Sequence, residues 1–315
     1  VKKKLSELEA QNKQVLSPSR LMAFAVSPQN YKSKYILKES EPTEAMVTGS
    51  VIHKANLEME TFDDVYAVLE PKENFLVTIQ DLKEEIERQG ATPTKGNKDK
   101  LIEQLLSLDD GAKIYDVYLE KMETCGKQIV SNDLWKRCKR IIEEIGAHAW
   151  LGKAIVGGQR EVKATWQYDS EVTMNFIMDF INPQMGNAKK PVIIDIKTTA
   201  DASIEACRRS IQKQRLIVQA SAYCDGVESL AKVEPFFVWA FVETKPPYHV
   251  TCLSPDFGSL EIGRKQYQGL IKNFKDCVRT NSWPGHDGGR VMPIGLSDWY
   301  MNEVEVTYSD EVFGD

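Results

Sequence analysis

The sequence predicts an α/β fold: a mixed central β-sheet flanked by helices, with a small helical hairpin inserted ahead of the sheet. Three observations predict it. The apolar spacing changes from helical to alternating at about residue 161 and stays strand-like to 199. Helical patterns lie on both sides of that stretch in the chain. The segment 191–199 opens with an unbroken apolar run, as expected of a central strand covered on both faces. A chain of 315 residues, 42% hydrophobic and 27% charged, can bury a substantial core.

Residues 1–16 read as a polar helical lead-in. Ser17 then stands as a helix N-cap, with Pro18 at the first helical position and apolar Leu21, Met22, Ala23 and Phe24 behind it. A second helix is expected over 49–58, burying Val51, Ile52, Ala55 and Leu57. In 75–108, Thr78 caps a helix, the stretch from Gly90 to Gly96 turns the chain, and a second helix starts at Lys98. Leu82, Ile86, Leu101, Ile102, Leu105 and Leu106 would pack these two helices together. Helical spacing of Ile114, Tyr118, Met122, Leu134, Ile141, Ile142 and Ile145 predicts helix over 112–150. Strands are expected at 161–166, 172–181 and 191–199, with a turn-rich link at 182–190. A long helix over 203–224, strands at 236–242 and 248–253, a helix over 257–280 and an irregular tail complete the reading. The expected division is 1–74 as the helical start of the main domain, 75–108 as the insertion, 109–290 as the core and 291–315 as the tail.

No apolar run reaches the length of a membrane span. The start, Val1-Lys2-Lys3-Lys4, leads into polar sequence without an apolar signal core, so a cytoplasmic, non-membrane protein is expected. The six cysteines are scattered with no C-x-x-C pair. That spacing argues against a zinc ribbon or a disulfide framework and predicts small buried hydrophobes. A net charge of −6 weighs mildly against a protein that coats nucleic acid. It is compatible with an enzyme whose metal ligands are acidic.

The chemistry is expected where two consecutive strands each carry an aspartate, Asp179 and Asp195, with Lys197 two residues on. Alternation along a strand points Asp195 and Lys197 the same way and turns Ile196 into the core. Two carboxylates bind a hard divalent cation such as Mg²⁺, and Mn²⁺ is expected to substitute. A cation acidifies water and neutralises phosphate charge, and an adjacent ammonium can position or deprotonate the attacking water. Alone, a strand Asp-x-Lys usually just faces water.

Asp179 together with Ile193-Ile194-Asp195-Ile196-Lys197-Thr198-Thr199 resembles the core of the PD-(D/E)XK nucleases, which have a restriction-endonuclease-like fold. Gly49-Ser50-Val51-Ile52-His53 resembles the G-x-x-x-H helix of the RecB-like branch, and Gln219-Ala220-Ser221-Ala222-Tyr223 its Q-x-x-x-Y motif. Glu161 lies where that superfamily often carries a further acid. The resemblance implies His53, Asp179, Asp195 and the Ile196 carbonyl as metal ligands. It implies Glu161 as an aid to a second metal or the water, Lys197 as the group that activates or orients it, and Gln219 and Tyr223 as supports of the cleft. The strings around Asp195 and Gln219 are most similar to RecE-type phage exonucleases (exonuclease VIII). That likeness implies digestion of linear double-stranded DNA from the 5′ end, a ring-shaped homo-oligomer and a single-strand annealing partner.

The 75–108 stretch, through Leu82-Lys83-Glu84, Gly90, Lys95-Gly96-Asn97-Lys98 and Leu101-Ile102, resembles the SAP-type DNA-binding module. It implies DNA contact by Lys95 and Lys98. A hairpin that merely braces the main domain is the other reading. Thr198, Arg208, Arg209, Lys213 and Arg215 are candidates for phosphate contact. The four cations could equally be a solvated helix face, and Thr198 could simply continue its strand. Lys189 and Lys190 share that ambiguity. Taken singly, His53 could be an ordinary helix residue, Glu58 could replace Glu161, and Gln219 and Tyr223 could be packing. Alternative functions are an endonuclease, a single-strand exonuclease of the same superfamily, and a DNA-binding protein without catalysis.

Overall fold

The structure is a computed structural model that describes residues 14–39, 41–185, 190–298, 300 and 301. These fall into two compact units, one of 14–18 with 41–267 and the other of 19–39 with residues from 268 on. The strands are β1 (Gln14–Leu16), β2 (Tyr66–Val68), β3 (Gln128–Val130), β4 (Gln159–Gln167), β5 (Val172–Met185), β6 (Lys190–Thr199), β7 (Phe236–Glu243) and β8 (Val250–Leu253). The longer α-helices are α1 (Pro18–Val26), α2 (Glu44–Leu57), α3 (Ile79–Arg88), α4 (Lys98–Leu108), α5 (Tyr115–Glu123), α6 (Asn132–Ala147), α7 (Leu151–Ile155), α8 (Ile204–Lys213), α9 (Leu216–Ala231) and α10 (Phe257–Thr280).

The larger unit holds a six-stranded mixed sheet in the order β1-β5-β6-β7-β8, with β4 paired to β5. β5 is antiparallel to β4 and β6 and parallel to β1, while β6 and β7 run parallel. The mixed α/β class read from the sequence is therefore the class observed. One face of the sheet carries Phe180, Val192, Ile194, Ile196, Val238, Ala240 and Val242, which pack with α2, α6 and α7. The other face carries Phe176 and Phe237, whose rings meet Tyr223 of α9 at centroid distances of 5.1 and 6.3 Å. Gly226 lets α9 come this close. A Cβ there would sit 2.4 Å from the Phe176 ring and 2.8 Å from Trp166 Nε1.

β5 is the pivot. β4 pairs along one edge of it from Thr173 to Ile181. The other edge meets β1 at Val172–Met174 and β6 only from Phe180 onward. Residues 175–179 therefore face a gap where β6 has turned away to follow β7.

The hairpin of α3 and α4 has a core of its own. Leu82, Ile86, Leu101 and Leu105 are fully buried with Ile114. Thr78 and Asp81 form a reciprocal capping box at the start of α3, and Asn97 caps α4. In the smaller unit Phe24, Tyr31, Phe274 and Trp283 form an aromatic cluster, with the Tyr31 and Trp283 rings stacked at 5.7 Å.

Four expectations need correction. Gln14–Leu16 is a strand rather than the end of a helical lead-in, because Val15 and Leu16 are buried beside β5; residues 1–13 of that lead-in lie outside the described residues. The stretch 112–150 is interrupted, since Gly126 takes a left-handed φ of 73° and Gln128–Val130 pairs with β2. The helix expected over 203–224 is two helices, broken at Arg215, which has a left-handed φ of 54°. No Gly or Pro marks that break. All six cysteines are free, but Cys125 is exposed, and Cys252 and Cys277 are only partly buried.

Candidate active site

The register of the sheet places three acids in a row. Arg160 pairs with Phe180 and Val162 with Met178, which sets Glu161 of β4 against Asp179 of β5. Phe180 pairs with Ile194, which sets Asp179 against Asp195 of β6. Like charges placed directly across strands repel, so such a row requires cations. Asp195 is 1% exposed and Asp179 7% exposed, so water cannot screen them well.

Two cationic groups answer the row. α2 brings His53, whose Nε2 lies 2.9 Å from Asp179 Oδ1 and whose Nδ1 lies 3.6 Å from Glu161 Oε1. Thr43 caps this helix, and Gly49 passes close to β6, its Cβ position 3.4 Å from Thr198 Oγ1. Lys197, two residues beyond Asp195 on the same strand face, puts Nζ 2.6 Å from Asp195 Oδ2. Glu161 sits at a left-handed φ of 49°, a conformation that costs a non-glycine residue about 1–2 kcal/mol. Its Oε1 is buried without a hydrogen-bond partner.

The gap in the sheet is closed by side chains of the site. The Ile196 N–H, which has no strand partner on the β5 side, donates to Asp179 Oδ2 at 2.7 Å. The Tyr223 hydroxyl donates to the Ile177 carbonyl at 2.8 Å. Gln219, one turn earlier on α9, donates to Asp195 Oδ1 at 2.9 Å and to the Tyr223 oxygen at 3.2 Å.

Protonation follows from this crowding. Burial pulls the His53 pKa down, but the hydrogen bond and charge of Asp179, with Glu161 and Asp195, more than offset it and leave it raised. Burial raises Glu161, and Asp179 adds to the rise against the pull of His53. Burial raises Asp195 as well, opposed by Lys197. For Lys197 burial works downward, yet Asp195 and Asp179 win and the ammonium form is favoured. Burial pushes the Tyr223 phenol well above its usual range.

His53, Glu161 and Asp179 offer ligand atoms that all lie within 4.8 Å of one another. One imidazole nitrogen and two carboxylate oxygens form a donor set that could hold a divalent metal. The orphaned Glu161 oxygen fits that role, because a cation would supply the partner it lacks. The trio differs from the one the sequence reading favoured. Asp195 stands next to it in the row, tied to Lys197 and Gln219.

The other candidates are distributed more widely. Glu58 is paired with Lys54 at 2.9 Å. Arg208 is held by Glu205 at 2.6 Å, and Arg208, Lys213 and Arg215 line a cleft beside α8 and α9. Arg209 is exposed on α8. In the α3–α4 hairpin Lys98 is engaged by Asp116 at 2.6 Å, whereas Lys95 is exposed. Lys190 pairs with Glu234 at 3.3 Å, and Lys189 lies outside the described residues. Sequence reasoning missed the pairing of Glu161 with Asp179. A signal was present, since a turn centred near residue 170 sets those two positions opposite each other.

A mixed sheet with helices on both faces and a row of acids met by a histidine and a lysine defines a protein of the PDDEXK-like class. The chain belongs to the family of PDDEXK-like domains of unknown function (DUF3799), whose match spans residues 17–291. No curated protein matches the chain by sequence. Among solved structures, a protein from Eubacterium rectale provisionally named an exonuclease is 13% identical, with a TM-score of 0.53 over 93% of this chain and 94% of that one. At that identity the likeness is one of fold. A second structure, SSO0001, aligns over 72% of this chain and 86% of its own at 10% identity, and its TM-score of 0.28 carries no argument. Membership and fold together support a nuclease. Among the described residues no helix is long and apolar enough to cross a membrane.

Proposed function

We propose that the chain is a Mg²⁺-dependent deoxyribonuclease that hydrolyses linear double-stranded DNA from an end. The observation that carries the hydrolytic reading is the row Glu161–Asp179–Asp195, buried, mutually repelling and faced by His53 and Lys197. A fold gains nothing by lining up three acids unless a cation is to be held there.

In this reading His53, Glu161 and Asp179 hold the cation, with Asp195 and the Ile196 carbonyl completing the set. When bound, the cation neutralises phosphate charge and acidifies water. Lys197 keeps its proton, so it orients the attacking water and offsets charge on the scissile phosphate rather than accepting a proton. Gln219 and Tyr223 hold Asp195 and the edge of β5 in place. Thr198, Arg208, Arg209, Lys213 and Arg215 are proposed phosphate contacts, and Lys95 and Lys98 extend the same role to a SAP-like insertion.

Preference for an end, 5′-to-3′ polarity, a ring-shaped homo-oligomer, an annealing partner and a phage-type recombination role rest on the RecE-type resemblance. The deciding experiment compares linear duplex DNA labelled at the 5′ or the 3′ end with closed circular DNA, in Mg²⁺, in Mn²⁺ and in chelator. Metal-dependent release of 5′ label from linear DNA, with circles left intact, is the expected result. Nicking of circles would replace the exonuclease with an endonuclease. DNA binding without cleavage under every condition would reduce the chain to a binding protein.

A further inference from the structure

A cleft of about 720 Å³ opens beside the acidic row, between α8 and the start of α9 on one side and β8 and the start of α10 on the other. Its position is tied to the site by the sheet. Trp239, part of its lining, is the cross-strand neighbour of Asp195 in the β6–β7 ladder.

The cleft carries two orphaned polar atoms of opposite kind. Trp239 is 2% exposed, and its Nε1–H is buried without an acceptor. Gln266 also lines the cleft, and its Oε1 is buried without a donor. Buried groups left unpaired are costly, so an orphaned donor and an orphaned acceptor on two residues of one cleft lining point to a ligand that supplies the complement of both. The rest of the lining includes apolar Ile211, Ile217 and Leu253, uncharged polar Gln212, Ser254 and Ser259, and the cations Arg208, Lys213 and Arg215. The left-handed backbone at Arg215 separates α8 from α9 at this cleft. Asp256 is the acid of the lining, and its carboxylate is occupied as a cap on the Ser259 N–H at 2.7 Å.

A phosphate ion would satisfy the cations but leave the apolar walls at Ile211, Ile217 and Leu253 uncovered. An apolar molecule would satisfy neither the cations nor the orphaned atoms. A nucleobase offers an acceptor and a donor on one edge and a flat apolar face, and its phosphate supplies the anion. We propose that this cleft binds one nucleoside monophosphate unit, its base against Trp239 and Gln266 and its phosphate toward Arg208, Lys213 and Arg215. The choice of a deoxynucleotide, either a free product or the terminal unit of a DNA strand, rests on the nuclease reading. The chemistry of the cleft does not.

The test is calorimetric titration of the whole chain in chelator with the four deoxynucleoside monophosphates, with deoxyadenosine, with inorganic phosphate, and with a short single strand bearing or lacking a terminal phosphate. At least one monophosphate should bind about 10-fold more tightly than the nucleoside or phosphate, as expected for one further charge-assisted hydrogen bond. The double variant Arg208→Ala/Lys213→Ala should weaken it about 10-fold, and Trp239→Phe, which removes only the N–H donor and some bulk, by a similar factor. Asp179→Asn should bind as the parent does. Binding of the phosphorylated strand alone, abolished by the double variant, would assign the cleft to a strand end. Absence of binding by every probe, or parental affinity in both cleft variants, overturns the proposal. Nucleotide binding that persists while DNA cleavage is never seen would overturn the nuclease reading and leave this one standing.

Discussion

Replacing Glu161 by Gln separates stability from function at the acidic row. Without metal, burial raises the Glu161 pKa, Asp179 and Glu58 push the same way, and His53 opposes them without prevailing. An acid whose folded pKa exceeds its unfolded value binds protons more readily when folded. Stability then falls as pH rises through that interval. Gln keeps the shape and removes the charge, so the variant should be more stable than the parent in chelator. Relief of a like-charge pair across strands is worth up to about 1 kcal/mol. The left-handed backbone at position 161 is not relieved, because Gln has a Cβ too. The expected gain is therefore about 0.5–1 kcal/mol, or about 2 °C in Tm for a protein of this size. Metal inverts the order. At a Mg²⁺ or Mn²⁺ concentration ten times Kd the parent gains about 1.4 kcal/mol, and the variant, short of one ligand, gains far less. Thermal unfolding of both proteins with chelator and with metal measures both quantities. A variant less stable than the parent in chelator refutes the electrostatic reasoning. An equal metal-induced shift in the two proteins removes Glu161 from the ligand set.

The same groups set a pH signature. His53 has a raised pKa, so its contribution is present below the ordinary histidine value and lost as pH rises through the folded one; raised Glu161 and Asp195 act in the same direction, and metal-free stability should fall between pH 5 and 8. Metal affinity, which requires neutral His53 and ionised acids, should rise over that range, and parallel slopes with and without metal would contradict the assignment. Lys197→Ala should lower end-label release about 100-fold or more and, by stripping the cation from buried Asp195, lower stability by about 2 kcal/mol; a rate above one tenth of the parent would exclude Lys197 from the mechanism. Asp179→Ala leaves the buried Ile196 N–H orphaned while Asp179→Asn keeps an acceptor for it, so the alanine variant should be less stable by about 1–3 kcal/mol in urea unfolding, and equal midpoints would disprove that role. Gly226→Ala drives a methyl into the Phe176 ring and should cost about 1–3 kcal/mol without altering metal affinity, as titration of the folded variant would show.

How much of this was legible follows from the range of each signal. The strands at 161–199 were readable because alternation and an apolar run act over a few neighbouring residues, and the site residues sit at fixed offsets within them. Asp195 and Lys197 share a face by the period of a strand, and Gln219 and Tyr223 share one by the period of a helix. The break at Arg215 was not readable, since Gln214 and Arg215 are compatible with continued helix and no Gly or Pro stands there to signal the left-handed residue. Nor was β1, whose three residues are strand only because β5 offers them an edge. The cleft at Trp239 and Gln266 joins residues on β7 and α10, a relation that no local pattern encodes.

The gap beside β5 explains why the site residues and the fold are hard to separate. Where β6 leaves β5, backbone groups lose their ladder partners, and orphaned groups in a buried sheet are costly. Asp179 takes the Ile196 N–H and Tyr223 supplies the Ile177 carbonyl. The side chains that would hold a cation or steady its neighbours are thus the ones that make the opening in the sheet tolerable. The apolar face of β6, through Ile194 and Ile196, stays sealed against the helices behind it. The sheet can therefore carry a charged, strained front without loosening its back, which is the physical condition for chemistry at the centre of a stable fold.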